Sequence, residues 1–392
     1  MAAKRTGLAR TRKAAGLTQE SLAEALHIDR TTIIRWESGK SEPQPYLRPK
    51  LARMLEISRN DLEGLLHSGA HSGTAVHDPS DERLAYVVQN PGSVDLPTVA
   101  RLREQVHELD ERYDSTPSTT LLARTGQCLD QVAALRPHSP STRIRRELYV
   151  IEAESATLMG QLVWDATQRR DHFTARRYFD QAIWAAQQAR EPGAEGLALL
   201  RKGFVALYGE NDARAGLLLT TRAAETTKRT SQVLTGLATL HTAEAHAMQG
   251  QQRACDQALS EADRYFDRIS DTDVALDLFS PTQHGRLAGS CHLFLSNAKR
   301  AQSILETTAQ ELQDRSKSQA IVLGNLGLAY LRQGALDEAA AILHQAVDVI
   351  EYTWGGGGLN VVFGACRELL PWRNEVVVQD VHDRVLALMS AR

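Results

Sequence analysis

GLTQESLAEALHIDRTTIIRWESGK, from Gly16 to Lys40, is the stretch on which the reading of the chain turns. Gly16 stands where a helix-ending glycine is expected, after a short basic segment. Thr18 is placed to cap a following helix whose inner face carries Leu22, Ala23 and Leu26. A brief turn through His27 and Ile28 leads to Asp29, a second N-cap, with Arg30 to Ser38 behind it and Gly39 closing. Successive residues of a helix are rotated by about 100°. On that wheel Ile33, Trp36 and Glu37 share one side, and Arg30, Thr31, Ile34 and Arg35 share the other. The first set anchors the helix to a core and the second is left to face outward. Arg can grip guanine bidentately, and a Thr or Ile methyl can touch a thymine methyl, which is the chemistry of a major-groove reader. On a lone helix two Arg and a Thr would read as a solvated face. Here the segment is second in a tight helix pair whose pattern continues on both sides.

Outward from that motif, the 392 residues exceed one ordinary small domain and suit two or three. Aromatics make up only 5%, while Ala, Leu, Gln, Arg and Glu recur, residues that are at ease in helices. Runs of β-branched residues hardly appear, so the expected class is all-α. Residues 1–66 hold 12 Lys/Arg against 8 Asp/Glu, a balance of +4, which leaves −7 for the rest of a chain whose formal charge is −3. A basic head on an acidic body suits a protein in which only the head meets phosphate. Cys128, Cys255, Cys291 and Cys366 form no C-x-x-C pair and read as reduced thiols. The opening MAAKRTGLARTRK lacks an apolar signal core and no run of 18 apolar residues occurs, so a cytoplasmic protein without a membrane partner is expected.

The segment HSGAHSGTAVHDPS, His67 to Ser80, reads as a linker. Its histidines, His67, His71 and His77, lack the rigid support a metal site needs, and His241 and His246 are five apart, off a shared helix face. No phosphate loop, zinc-protease motif or nucleophile elbow occurs, and Gly355–Gly358 lacks the Lys-Ser/Thr of a P-loop and reads as a flexible break. No metal, cofactor or enzymatic activity is expected.

The head resembles the phage-repressor/Cro-like (XRE) family of helix-turn-helix domains, over residues 4–66, through LTQESLAEALHIDRTTIIRWESGKSEPQP and the trailing LARMLEISRNDLEGLL. The resemblance implies a five-helix domain that binds double-stranded DNA. By it, Gln19 contacts phosphate and buttresses the reading side chains, Arg30, Thr31 and Arg35 read bases, and Thr18 and Ser38 contact the backbone. Thr32, Ile34 and Lys40 complete the expected DNA-binding set, and Arg12 with Glu37 forms an internal ion pair. Ile34 is unusually apolar for the family, as is the placement of Pro43 and Pro45 ahead of the fourth helix unusual. Such domains bind as dimers across half-sites, so a homodimer is expected.

Beyond Asp81, amphipathic segments alternate with breaks at Pro91-Gly92, Pro117, Pro137, Pro192-Gly193 and Pro281. Ala320 to Ala346, AIVLGNLGLAYLRQGALDEAAAILHQA, resembles the tetratricopeptide (TPR) repeat in Leu323, Leu326, Gly327, Tyr330, Gly334, Ala339, Leu343 and Ala346. Weaker copies pivot on Ala175, Ala215 (with Leu219), Cys255 and Ala301, at steps of 40, 40 and 46 residues and then 38 to Ala339. The expected body is a TPR-like right-handed helical solenoid over 146–392, with the linker at 67–80 and a helical connector over 81–145 packing on the solenoid. Residue 376 onward reads as a closing helix. The TPR register puts Gln161, Trp164, Arg201, Phe204 and Tyr208 on the concave face. It adds His241, Glu244, Met248, Gln283 and Arg286, then Asn325, Leu328 and Arg332. That mix of aromatic, amide and charge suits a peptide or small-molecule effector.

Head and repeats together resemble the peptide-receptor (RRNPP) regulators of Gram-positive bacteria and actinobacterial regulators with XRE heads. The implied function is a dimeric regulator whose body senses an effector. The alternative is a DNA-tethered interaction module whose repeats bind another protein, and an enclosed cavity would favour the first.

Overall fold

A computed structural model describes residues 8, 11–12, 15, 17–26, 28–37, 43, 47–55, 62, 79–312 and 316–390. The chain divides into two compact units, Met1–Arg83 and Leu84–Arg392. Residues 67–78 of the expected linker, with its three histidines, lie outside the described residues, as do parts of the expected first and fifth helices of the head.

The head contains α1 (Gln19–Leu26), α2 (Arg30–Glu37) and α3 (Arg48–Met54). Both helices of the motif start on side-chain caps. Thr18 Oγ1 accepts the Ser21 N–H at 3.0 Å while Ser21 Oγ accepts the Thr18 N–H at 2.9 Å, a reciprocal pairing of donors that the helix start would otherwise orphan. Asp29 Oδ1 accepts the Thr31 N–H at 2.8 Å at the start of α2. Leu22, Ala23 and Leu26 of α1 meet Ile33 and Trp36 of α2 over Leu8, Leu47, Leu51, Leu55 and Leu62. A core this small leaves little stability in reserve.

The second unit is helical throughout its described residues. Its entry helices are α4 (Pro79–Gln89, spanning the unit boundary), α5 (Leu96–Glu111) and α6 (Ser118–Leu135). They share one core with α7 (Thr142–Ala166), built from Leu84, Leu102, Leu121, Val132, Leu148 and Leu162 among others. Helical hairpins follow: α7 with α8 (His172–Ala189), α9 (Pro192–Phe204) with α10 (Ala213–Thr227), and α11 (Gln232–Met248) with α12 (Gln252–Phe266). Next come α13 (Thr282–Phe294) with α14 (Ala298–Glu311), α15 (Lys317–Leu331) with α16 (Leu336–Thr353), and α17 (Gly358–Glu368) leading to α18 (Val376–Ser390). The first helices of successive hairpins touch one another, and each second helix packs on the next hairpin, which is TPR-like stacking. Ser141, Asp171, Asp212, Ser231, Asn297 and Ser316 cap six of these helices, which explains their sharp starts.

The pivots Ala175, Cys255, Ala301 and Ala339 are fully buried. Ala215 and Leu219 are not, and the register in α10 is one residue further on, through Gly216, Thr220, Ala223 and Thr227. The apolar letters misled because the contact uses a glycine: a Cβ on Gly216 would fall inside the buried Leu207 side chain. The long 46-residue step has a physical source too. The segment between α12 and α13 contains an extra turn at Leu276–Leu278 and is pinned to the start of α11, where Asp273 accepts from Ser231 Oγ at 2.6 Å and from the Gln232 N–H at 2.7 Å.

The corner between α5 and α6 reaches the fifth hairpin, some two hundred residues away. The Lys317 N–H donates to Asp114 O at 2.9 Å and the Ser118 N–H to Trp354 O at 3.3 Å. Lys317, only 2% exposed, sends its ammonium to Tyr113 O at 2.6 Å and Ser118 Oγ at 2.8 Å, 4.0 Å from Asp165 and over the Tyr113 ring. The tetraglycine is part of this clasp. Gly355 and Gly356 have φ of +144° and +67°, and a Cβ on either would press on Lys317. Gly356, Gly357 and Gly358 are buried, so the run serves close packing, and the flexible break expected from sequence is not what the structure shows.

Candidate nucleic-acid interface and ligand cavity

The outward face of α2 is fixed by a lock on its inner side. Arg12, 6% exposed, donates through Nε to Glu37 Oε1 at 2.6 Å, through Nη2 to Oε2 at 3.5 Å, and through Nη1 to Leu17 O at 2.6 Å. Gln19 Nε2 donates to Glu37 Oε2 at 2.6 Å. One carboxylate at the end of α2 therefore holds the first turn of α1 and the segment before it.

With Ile33 and Trp36 buried, Arg30, Thr31, Ile34 and Arg35 are exposed and Thr32 is half-exposed. Arg30 is paired with Glu20 of α1 at 2.6 Å, with both side chains more than half exposed. Such a surface pair is worth about 0–1 kcal/mol, so a DNA group can displace it readily. The Thr31 hydroxyl donates to Asp29 Oδ1 at 2.7 Å, which commits its proton to the cap. The sequence placed these residues on one face but did not reveal either partner. Thr18 carries its cap, and Gln19 sits half-buried on Glu37 at the edge of the same surface. Ser38 and Lys40 lie outside the described residues.

In the body, the inner faces of the hairpins surround a cavity of about 580 Å³. Of the concave-face candidates, Gln161, Trp164, Arg201, Phe204, Tyr208, His241, Glu244, Met248, Gln283, Arg286 and Asn325 line it. Leu328 and Arg332 do not. Leu328 packs into the hydrophobic core of the fifth hairpin, and Arg332, beyond the end of α15, forks onto Glu368 at 2.7 and 3.0 Å and caps Leu293 O at 2.8 Å. The concave face ends about a turn earlier than the register implied. The sequence reading also missed His107, Asp110 and Tyr113, which the α5–α6 corner brings to the wall, and Leu278 and Phe279 from the segment before α13. No repeat register reaches those segments.

A buried polar chain lies in this wall. Tyr208 donates to Glu244 and stands 2.6 Å from His241 Nδ1, and Ser290 Oγ donates to the other Glu244 oxygen at 2.5 Å. Because the Tyr208 proton goes to Glu244, His241 completes the chain as the tautomer with Nδ1 protonated. Burial holds His241 below its ordinary value, hence neutral. Burial raises the Glu244 carboxyl, yet the His241 ring beside it, 3.5 Å away, and the hydrogen bonds from Ser290 and Tyr208 outweigh it and keep the group ionised below the usual range. Burial, then the Glu244 charge, pushes the Tyr208 hydroxyl well up. Among the described residues no cluster of three or more His, Cys, Asp or Glu is arranged to hold a metal ion, and no helix is long and apolar enough to cross a membrane.

A capped helix pair with two guanidinium groups on the outer face of its second helix defines a DNA-binding helix-turn-helix domain, carried here ahead of TPR-like helical hairpins. The helix-turn-helix family model matches residues 8–62, and this segment is an XRE-type member of that family. No curated protein matches the chain. Among solved structures, PlcR of Bacillus thuringiensis, in complex with the peptide PapR7 and DNA, is similar at 16% identity with a TM-score of 0.29, over 67% of this chain and 94% of that one. The Cut9-Hcn1 hetero-tetramer of the APC/C is similar at 15% identity with a TM-score of 0.36, over 97% of this chain and 74% of that one. Scores this low transfer neither ligands nor partners to the present chain.

Proposed function

We propose that the protein is a sequence-specific transcription regulator that binds its operator as a homodimer through α2 and senses a small effector in the cavity of its body. The observation that carries the first part is the exposed Arg30–Thr31–Ile34–Arg35 face, held outward by the buried Arg12–Glu37–Gln19 lock. Thr18, Thr32, Ser38 and Lys40 complete the DNA-facing set in this reading. Phosphate contacts set affinity and base edges set specificity. One head covers one half-site, which is why two are needed.

The clasp between the α5–α6 corner and the fifth hairpin favours a small effector over a docked protein, since it walls the concave face that a partner would otherwise fill. It also offers a route for the signal. His107, Asp110 and Tyr113, on and just beyond α5, line the cavity, and α5 shares a core with α4, the helix spanning the unit boundary. An effector that favours one arrangement of α5 biases the spacing of the two heads, a population shift.

The test is a gel-shift titration of full-length protein on an operator selected from random duplexes. Arg35→Ala costs about 1–3 kcal/mol on that operator, with non-specific binding little changed. Unchanged operator affinity removes Arg35 from the reading face.

A further inference from the structure

The cavity wall is unevenly satisfied. Of its four Arg and Lys side chains, Arg169 and Lys317 share Asp165, at 3.2 and 4.0 Å. Arg201 and Arg286 have no ion pair among the described residues. Among the described residues Arg286 makes one long bond, 3.3 Å to Ser318 Oγ, and the buried Arg201 Nε has no acceptor. Arg201 lies over the Phe204 ring at 5.2 Å, that ring stands 4.3 Å from the His241 ring, and the charges of Arg201 and Arg286 both disfavour protonation of His241. Trp164, 2% exposed, also lines the cavity with a buried indole N–H that lacks an acceptor among the described residues, and Gln283 Oε1 is buried there without a donor among them. Buried donors are rarely left orphaned, because each costs the hydration it has lost.

The surrounding wall is apolar. Trp164, Phe204, Tyr208, Phe279 and Phe294 present aromatic surface, and Phe204 lies 4.3 Å from the His241 ring, centroid to centroid. The acids have a different placement. Glu111 and Asp277 are exposed, Glu244 is already occupied by Tyr208 and Ser290, and the half-buried Asp114 accepts from Ser318 Oγ at 3.3 Å, the hydroxyl that Arg286 also reaches. Asp110 has its carboxyl pushed up by burial, against the pull of the Arg201 charge, which weakens it as a counter-ion. Exposed acids on a wall with charge-seeking guanidinium groups discourage polyanions and tolerate a single negative charge.

We propose that the cavity binds an organic anion of one negative charge on an aromatic or apolar body, its charged group met by Arg201 and Arg286 and its body by Trp164, Phe204 and Tyr208. A carboxylate or sulfonate supplies the acceptors that Arg201 Nε and the Trp164 indole lack, and a hydroxyl or amide donor elsewhere on the body meets Gln283 Oε1. A volume of about 580 Å³ is that of a site for a compact molecule of drug-like size. The inference names the ligand class for the sensing role proposed above and rests on that reading.

The experiment uses the full chain and two fluorescent probes of nearly the same shape, 8-anilinonaphthalene-1-sulfonate and its uncharged parent N-phenyl-1-naphthylamine. Titrations are followed by probe fluorescence and by calorimetry, with circular dichroism melting to show that each protein is folded. One anion binds per chain, about tenfold or more tighter than the neutral probe. Arg201→Gln and Arg286→Gln each remove most of that preference and leave the neutral probe within about twofold. Equal affinity for the two probes in the wild type overturns the proposal without recourse to any variant. So does a preference that survives both substitutions, or no binding of either probe. Operator binding reports separately: intact binding to DNA with no anion preference sinks the ligand class alone, whereas anion preference without operator binding sinks the regulator reading alone.

Discussion

Removing the carboxylate of Glu37 tests how the reading helix is held. Arg12 and Glu37 have side-chain exposures of 7% and 10%, so their contact is shielded from water and salt. In Glu37→Ala the Arg12 guanidinium stays buried with Leu17 O, 2.6 Å away, as its one remaining strong partner among the described residues, and Gln19 loses its acceptor at 2.6 Å. Breaking one side of a buried pair costs about 3–5 kcal/mol, and the surviving bond to Leu17 O argues for the lower end. At about 3 kcal/mol the head opens on the order of 100 times more often. Hydrogen exchange of the full chain, read on peptides covering residues 17–37, shows this as faster exchange there, with the repeat hairpins unchanged. The double variant Arg12→Met/Glu37→Leu, which removes both charges, recovers most of the loss, because two apolar side chains need no partners. A loss under about 1 kcal/mol in Glu37→Ala, the size typical of a surface pair, refutes the lock. So does a double variant no better than the single.

Other consequences follow from the body. Gly216→Ala gains about 1 kcal/mol of helix propensity but drives a methyl into the buried Leu207, which costs about 1–3 kcal/mol, so the urea midpoint of the body falls; a rise contradicts the shifted register. Burial lowers the Lys317 ammonium from 10.5 to about 8, against the pull of Asp165 and Asp114. The unfolded chain then binds the extra proton between those values, so Lys317 penalises folding by on the order of 3 kcal/mol below pH 8 and the penalty lifts as pH rises toward 10.5. The stability of wild type relative to Lys317→Met, from denaturant titrations, therefore climbs across that window, and a flat difference shows an ammonium that is not desolvated.

The head was legible because its signals are local. Thr18, Asp29 and the wheel from Arg30 to Glu37 lie within one stretch, and helix geometry alone sorts their faces. The Arg12–Glu37 pair followed from the family resemblance, and the structure shows it directly. Arg30 with Glu20 was missed because surface pairs leave no periodic trace. In the body, the strong copy at Ala339, Leu343 and Ala346 kept its register, while the weak copy at Ala215 slipped by one, since Gly216 and Thr220 carry the contact and neither looks apolar. The clasp left a signal that could have been read: Lys317 opens a helix that is apolar on every side, and a buried Lys must find acceptors. Its partners at Tyr113 and Ser118 come from outside the repeat, and no period links them.

The central claim, that α2 reads bases, is tested most directly by mapping bound DNA across the genome for the wild type and for full-length Arg30→Ala/Arg35→Ala. The account predicts discrete wild-type sites made of two half-sites about one helical turn apart, each lost in the variant. The same sites occupied by both proteins would contradict it.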